Sequence, residues 1–373
     1  MSVLTCRKTL IAAAICATVS IDYAAAGTAC TFSAQRMRES CMNEAREEAK
    51  EVIARCEIIA DAGARNECRQ DARDERSEAP EECGDLLEAR LEACDALAER
   101  RYADPLLDQE IEFIDPDEIG PVYDSNPYVM LQSGHTHVLH AGDEIVVVHA
   151  TDEVRDIQGV PCRVVVDIAV EEEFDEEEQE IEYTEVEITD DWFAQDIDGN
   201  VYYCGEVSRN FEDEVLRDLD GSFESGVELA GGGLLIPASP VLGEVHRQEY
   251  ALGEAEDIVE YLEIDTSPGD DEGGENEAFP CDGGCLKTFE FTPLEPESTE
   301  YKYYLPGTGF VLAVSLEDGE IDEEDREELV CNGDSLGVLH NEACGIEDPG
   351  ELLEELCEMH DELCADDDED EGE

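Results

Sequence analysis

Trp192-Phe193-Ala194-Gln195-Asp196-Ile197-Asp198-Gly199-Asn200-Val201-Tyr202-Tyr203-Cys204-Gly205-Glu206 reads as two β-forming runs, residues 192–195 and 201–206, folded back on each other through an Asp-Gly turn. Aromatic and β-branched side chains flank the turn, as a pleated, half-buried surface requires. The same pattern extends outward in both directions. Candidate strands lie at Thr136–His140, Glu144–Ala150, Cys162–Val170, Ile181–Ile188, Glu244–Tyr250, Ile258–Ile264, Leu286–Thr292, Thr299–Tyr304 and Phe310–Ser315. Turn residues separate them about every ten positions. The expected fold class is therefore α+β, mainly β: an antiparallel up-and-down β barrel or half-barrel over residues 128–330, with a sandwich as second choice.

Upstream, residues 27–103 are charged, alanine-rich and nearly free of Gly and Pro, and read as helix. Cys30, Cys41, Cys56, Cys68, Cys83 and Cys94 are spaced 11, 15, 12, 15 and 11, a palindrome centred on residue 62 beside Gly63. The longer spacings approximate whole turns of about 3.6 residues, so each set of three falls near one helix face. A helical hairpin with nested disulfides Cys30–Cys94, Cys41–Cys83 and Cys56–Cys68 satisfies this spacing. Pro80 is expected to kink or restart the second helix. Residues 104–127, rich in Asp-Pro and Gly-Pro steps, are expected as an acidic linker. Residues 331–373 form a cysteine-rich C-terminal segment with an acidic tail, and the pairing of Cys162, Cys204, Cys281, Cys285, Cys331, Cys344, Cys357 and Cys364 is left open.

Arg7 and Lys8, an apolar stretch from Leu10 to Val19, and Ala24-Ala25-Ala26 give residues 1–26 the layout of an export signal. Its removal leaves 14 of 16 cysteines, an even number suited to an oxidising, extracellular or periplasmic compartment. Asp and Glu number 101 against 22 Lys and Arg, a formal net charge of −79. Such a chain repels nucleic acid and anionic membrane surfaces. The acidity suits either a high-salt, halophilic-like habitat or cation binding, and its spread along the whole chain favours the habitat.

The phrases Asp191 to Glu206, His246-Arg247-Gln248-Glu249-Tyr250, Lys287-Thr288, Thr292-Pro293-Leu294-Glu295-Pro296 and Tyr301-Lys302-Tyr303-Tyr304-Leu305-Pro306-Gly307 resemble, in this order, those of a group of exported bacterial β-rich proteins of unassigned function. The resemblance covers about residues 126–330 and neither cysteine-rich end. It implies one β domain and no particular activity.

The sequence contains no G-x-S-x-G elbow, H-E-x-x-H, Walker loop or dinucleotide fingerprint. Asp196, Asp198 and Asn200 carry the alternate spacing with which calcium loops begin, although an Asp-Gly turn accounts for the same residues without metal. His135, His137 and His149 share one face if Gly142 is the hairpin midpoint, and three imidazoles there would hold zinc or copper. A polar, solvated strand face is the competing reading. The expected function is a non-enzymatic exported binding or cell-surface protein, whose partner is a small apolar ligand in the barrel. The alternatives are a calcium-binding acidic surface protein and an unrecognised secreted hydrolase.

Overall fold

The palindromic cysteines set the geometry of the N-terminal unit. In the computed structural model, which describes residues 10–98, 101–142, 144–175, 180–212, 215–269, 272–317 and 319–364, α1 (Leu10–Cys56) and α2 (Ala62–Leu97) run antiparallel. Cys30–Cys94, Cys41–Cys83 and Cys56–Cys68 join them, with Cα separations of 5.7, 5.9 and 5.8 Å. Asp61 caps α2 by accepting from the Gly63 and Ala64 amides, each at 2.9 Å, which satisfies donors the helix itself cannot. Among the described residues, the buried apolar side chains of this unit are alanine and cysteine alone: Ala34, Ala49, Ala72, Ala79 and Ala93 beside the cysteines. Small side chains permit close approach but bury little area, so the hairpin depends on its disulfides, each worth about 2–4 kcal/mol. Pro80 does not interrupt α2, contrary to expectation. It removes one amide donor, and Cys83 nearby ties the helix to α1. Arg7 and Lys8 of the expected export signal lie outside the described residues, and residues 24–26 fall within α1.

A single 15-stranded antiparallel sheet makes up the second unit. Its first half comprises β1 (Thr136–Ala141), β2 (Glu144–Ile157), β3 (Val160–Asp175), β4 (Glu180–Gln195), β5 (Val201–Glu212), β6 (Val215–Asp218), β7 (Phe223–Glu224) and β8 (Gly231–Ile236). The second half comprises β9 (Val245–Arg247), β10 (Glu249–Tyr250), β11 (Ile258–Thr266), β12 (Cys285–Phe291), β13 (Thr299–Leu305), β14 (Gly309–Glu317) and β15 (Glu320–Gly333). Each half is largely a meander, and β15 returns to pair with β1.

The expected strand over residues 244–250 divides at Gln248. Its first part, β9, pairs with β11 at one sheet edge, and its second part, β10, pairs with β8 at the other. One continuous segment thus spans both edges and nearly closes the barrel, which removes the exposed edge that an open sheet would present. Gly231-Gly232-Gly233 opens the strand β8 at this seam. A Cβ on Gly233 would lie 2.2 Å from the Gln248 carbonyl carbon, and one on Gly232 would lie 2.5 Å from the Tyr203 carbonyl oxygen. The crossing backbone leaves room for glycine only.

Residues 104–127 are not a linker. They belong to the same unit as the sheet, and their Asp-Pro steps act as caps: Asp104 and Asp115 each open a short 3-10 turn whose first residue is proline. Leu106 packs over the outer face around Trp192 and Cys162–Cys204. Ile114, Ile119 and Leu131 enter the barrel and pack against Val165, Val201, Ile236, Val259 and Leu286. The fully buried Asn126 fastens this plug: its side-chain nitrogen donates to the carbonyls of Gly199 (2.7 Å) and Ile236 (3.3 Å), and its oxygen accepts from the Tyr128 amide (2.8 Å). At the other end of the chain, Cys331–Cys344 and Cys357–Cys364 brace a segment that includes α3 (Pro349–Met359). Leu339, Leu352, Leu356 and Leu363 cover Val138, Val147, Val166 and Ile168 on the outer face of β1–β3. His360 lies 2.6 Å from Asp190, which also pairs with Arg209, so this cover is clamped to β4.

Candidate functional site

Alternation along β1–β4 sends Val138, Val147, Val166 and Ile168 outward, beneath the C-terminal cover, and their neighbours His137, Val148, Val165 and Asp167 inward. Above the plug these inward side chains surround a cavity of about 290 Å³. Its walls are largely apolar and aromatic, formed by Tyr128, Leu139, Val148, Phe193, Tyr304 and Phe310. Its polar groups are His135, His137, Asp167, Lys302 and Glu327.

Register explains how the charges meet. Lys302 on β13 and Glu327 on β15 each pair with Ala313 of β14, and Glu327 also pairs with Ala141 of β1. The small alanines between them leave the long side chains free to reach the lumen. Lys302 is already committed, at 3.2 Å from Glu290 and 2.9 Å from Glu300. Burial disfavours its charge, but those two carboxylates outweigh burial and hold its pKa well above the ordinary range. Asp167 is half-buried and lines the cavity. Burial, reinforced by Asp191, Glu327 and Glu187, pushes its pKa well up, against the opposing pull of Lys302. Burial likewise raises Glu327 to about 7 despite Lys302.

A second group of carboxylates continues around the barrel from Asp167. Val165 of β3 pairs with Asp191 of β4, which pairs with Glu206 of β5. The Tyr203 hydroxyl donates to Asp191, and Ser208 and Thr189 donate to Glu187 at 3.0 and 2.8 Å. Burial is the largest cause of the rise of Asp191 to about 7 and of Glu206 to about 9. Glu249, in β10 at the seam, is raised well above its ordinary value by burial and then by Asp257 and Glu206. The barrel thus encloses carboxyl groups that favour their neutral forms near neutral pH.

The histidines depart from the expected triad. The hairpin turn falls between Ala141 and Glu144, so His149 pairs with Thr136 and not with His135. One residue of register sends a side chain to the opposite face. His149 Nδ1 lies 2.9 Å from the Thr136 hydroxyl, while His135 and His137 line the cavity with their Nε2 atoms 3.0 Å apart. Burial depresses His137 to about 3, so the pair shares one hydrogen bond between neutral rings. Among the described residues no group of three or more His, Cys, Asp or Glu is placed to hold a metal ion.

Asp196 to Asn200 form the Asp-Gly turn that accounts for them without a metal. The Asp196 carboxylate accepts from the Asp198 amide (2.9 Å), the Asn200 amide (2.9 Å), the Asn200 side chain (2.8 Å) and the Tyr202 hydroxyl (3.0 Å). Asn200 in turn accepts from the Ala238 amide at 3.2 Å. These donors occupy the oxygens that a cation would need. The acidic tail from residue 365 lies outside the described residues.

Asp167, Glu327 and Lys302 were not singled out by sequence reasoning. One signal was present: Asp167 is the lone carboxylate in the apolar run Val164-Val165-Val166-Asp167-Ile168-Ala169-Val170, a contrast that sets it apart. Glu327 lies in the acidic run Glu320–Glu328 and carries no such contrast.

No family model matches the chain, and no curated protein matches it. Among solved structures, a protein from Bacteroides fragilis assigned as exported and described as having a YmcC-like fold aligns at 12% identity and a TM-score of 0.25. That alignment covers 55% of this chain and 98% of the other, a likeness too slight to assign fold or function.

Proposed function

We propose that this chain is an exported, non-enzymatic binding protein, akin to the exported bacterial β-rich proteins whose phrases it resembles, and that its site is the barrel lumen. The observation that carries this reading is the cavity of about 290 Å³ with aromatic walls and a few convergent polar groups, the usual composition of a small-molecule site. Export is supported by seven disulfides, since such bonds persist in oxidising compartments. The ligand is a small molecule with an apolar body, lying against Tyr128, Leu139, Val148, Phe193 and Phe310. The plug and the C-terminal cover keep the barrel rigid around it, which limits the ordering cost of binding.

Native mass spectrometry of protein purified from its source tests the proposal, with a Val148→Trp variant whose side chain fills the cavity. The expected result is a bound small molecule on the wild type and none on the variant, with the two melting alike. An equal adduct on both proteins would overturn it.

A further inference from the structure

We infer that the lumen takes an organic cation, an ammonium group on a short apolar body, held between the Asp167 and Glu327 carboxylates and the aromatic wall. The inference rests on the lumen being a binding site and names the chemistry of its occupant.

Three observations carry it. The first is a charge imbalance at the cavity surface. Lys302 faces the cavity but is paired directly with Glu290 and Glu300, so its attraction for Asp167 and Glu327 is shared with two closer carboxylates. The second is that neither carboxylate makes a side-chain hydrogen bond among the described residues, although both are half-buried and line the cavity. Carboxylates drawn out of bulk water are ordinarily paired, so two half-buried ones lining an open volume lack the partner that their surroundings call for. The third is the wall itself: Tyr128, Phe193, Tyr304 and Phe310 present aromatic rings to the same volume. Aromatic faces attract cations, more strongly where water is excluded.

The groups around Asp167 favour a cation over an anion. Asp191 and Glu187 on β4 and Glu327 on β15 all repel negative charge, and His137 is held neutral by burial. Lys302 opposes them but is outnumbered. A divalent metal fits poorly, because no group of three or more ligating side chains is assembled among the described residues. An ammonium needs fewer fixed oxygens, and its apolar body uses the walls that a bare metal ion would leave empty.

The test compares hexylammonium with hexanol, a pair alike in length and different in charge, by titration calorimetry on the full chain. Salt of about 1 M shortens the Debye length to about 3 Å and suppresses amine association with the acidic exterior. The expected result is at least tenfold tighter binding of hexylammonium, with the preference erased in Asp167→Asn, which still binds hexanol. Equal affinity for the two probes would overturn the cation assignment while leaving the lumen as a binding site. Failure of both to bind would overturn the lumen reading and this one with it. Amine binding that persists in Val148→Trp would place the amine on the surface and refute the inference. Displacement of hexylammonium by calcium at constant ionic strength would give the carboxylates to a metal ion instead.

Discussion

Asp191 and Glu206 lie directly opposite one another on β4 and β5 inside the barrel, and the Tyr203 hydroxyl donates to Asp191. Two carboxyl groups so placed do not both ionise readily, because burial and mutual repulsion disfavour the second charge. Glu187, Asp190 and Asp257 add further negative potential. These carboxyl groups therefore favour their protonated forms.

Stability should fall as pH rises toward the alkaline range. Burial raises Asp191 to about 7 and Glu206 to about 9, while in the unfolded chain both titrate near about 4. The stability these protonated groups contribute is full below about pH 4 and is lost as pH climbs through their folded values. His137 and His246 act in the opposite sense. Burial depresses them to about 3 and about 4, so their contribution is lost as pH falls from about 6.5 through those values. Melting temperature should pass through a maximum in the mildly acidic range. Asp191→Asn with Glu206→Gln should flatten the alkaline limb, and an unchanged limb in that variant would contradict the assignment.

Asn126→Ala should be among the most costly single substitutions in the β unit. It strands the carbonyls of Gly199 and Ile236 and the amide of Tyr128, all engaged by a fully buried side chain. Leaving buried groups unsatisfied costs about 1–3 kcal/mol each, so a loss of about 3 kcal/mol in denaturant unfolding is expected. A loss below about 0.5 kcal/mol, typical of surface positions, would show that water replaces the clasp.

Much of the fold is written in periodicities that survive without tertiary context. The cysteine palindrome contains its own pairing because spacing along a helix translates directly into position on a face. Alternation marks most strands for the same reason. The parts that escaped are those whose meaning is set by distant partners. β15 begins Glu320-Ile321-Asp322-Glu323-Glu324-Asp325, too acidic to signal a strand, and is recruited by pairing with β1 and β14. Gly231-Gly232-Gly233 signals a loop until Gln248 crosses above it. The lumenal charges are hidden by composition: with 101 acidic residues, a functional carboxylate is visible only where its neighbours are apolar, as around Asp167. The histidine face failed by one residue of register, the smallest error that reverses a side chain.

The acidic exterior should respond to ionic strength and not to calcium as such. A formal net charge of −79 makes the folded chain repel itself, and salt relieves this by screening, which depends on ionic strength. Sodium chloride should therefore raise the melting temperature, and millimolar calcium at matched ionic strength should add nothing that saturates. Asp196→Ala should lower stability equally with and without calcium, because Asp196 serves four protein donors. A calcium-dependent rise that this substitution removes would restore a cation site at the turn.

The minimal folding unit of the barrel should be residues 104–364 and not the strands alone. Shortening to 128–330 removes Leu106, Ile114 and Ile119, which seal one end and one outer patch, and Leu339, Leu352 and Leu356, which cover β1–β3. Exposing an apolar side chain that folding buries costs about 1.5–3 kcal/mol, and the partners left behind on the sheet become exposed as well. Six such losses match or exceed the whole stability of an ordinary domain, about 5–15 kcal/mol. The shorter chain should then lack a cooperative transition and bind a dye for exposed apolar surface, while 104–364 should unfold in a single step. Equal melting of the two would show that the strands close on their own, and the plug would then serve the cavity and not the fold.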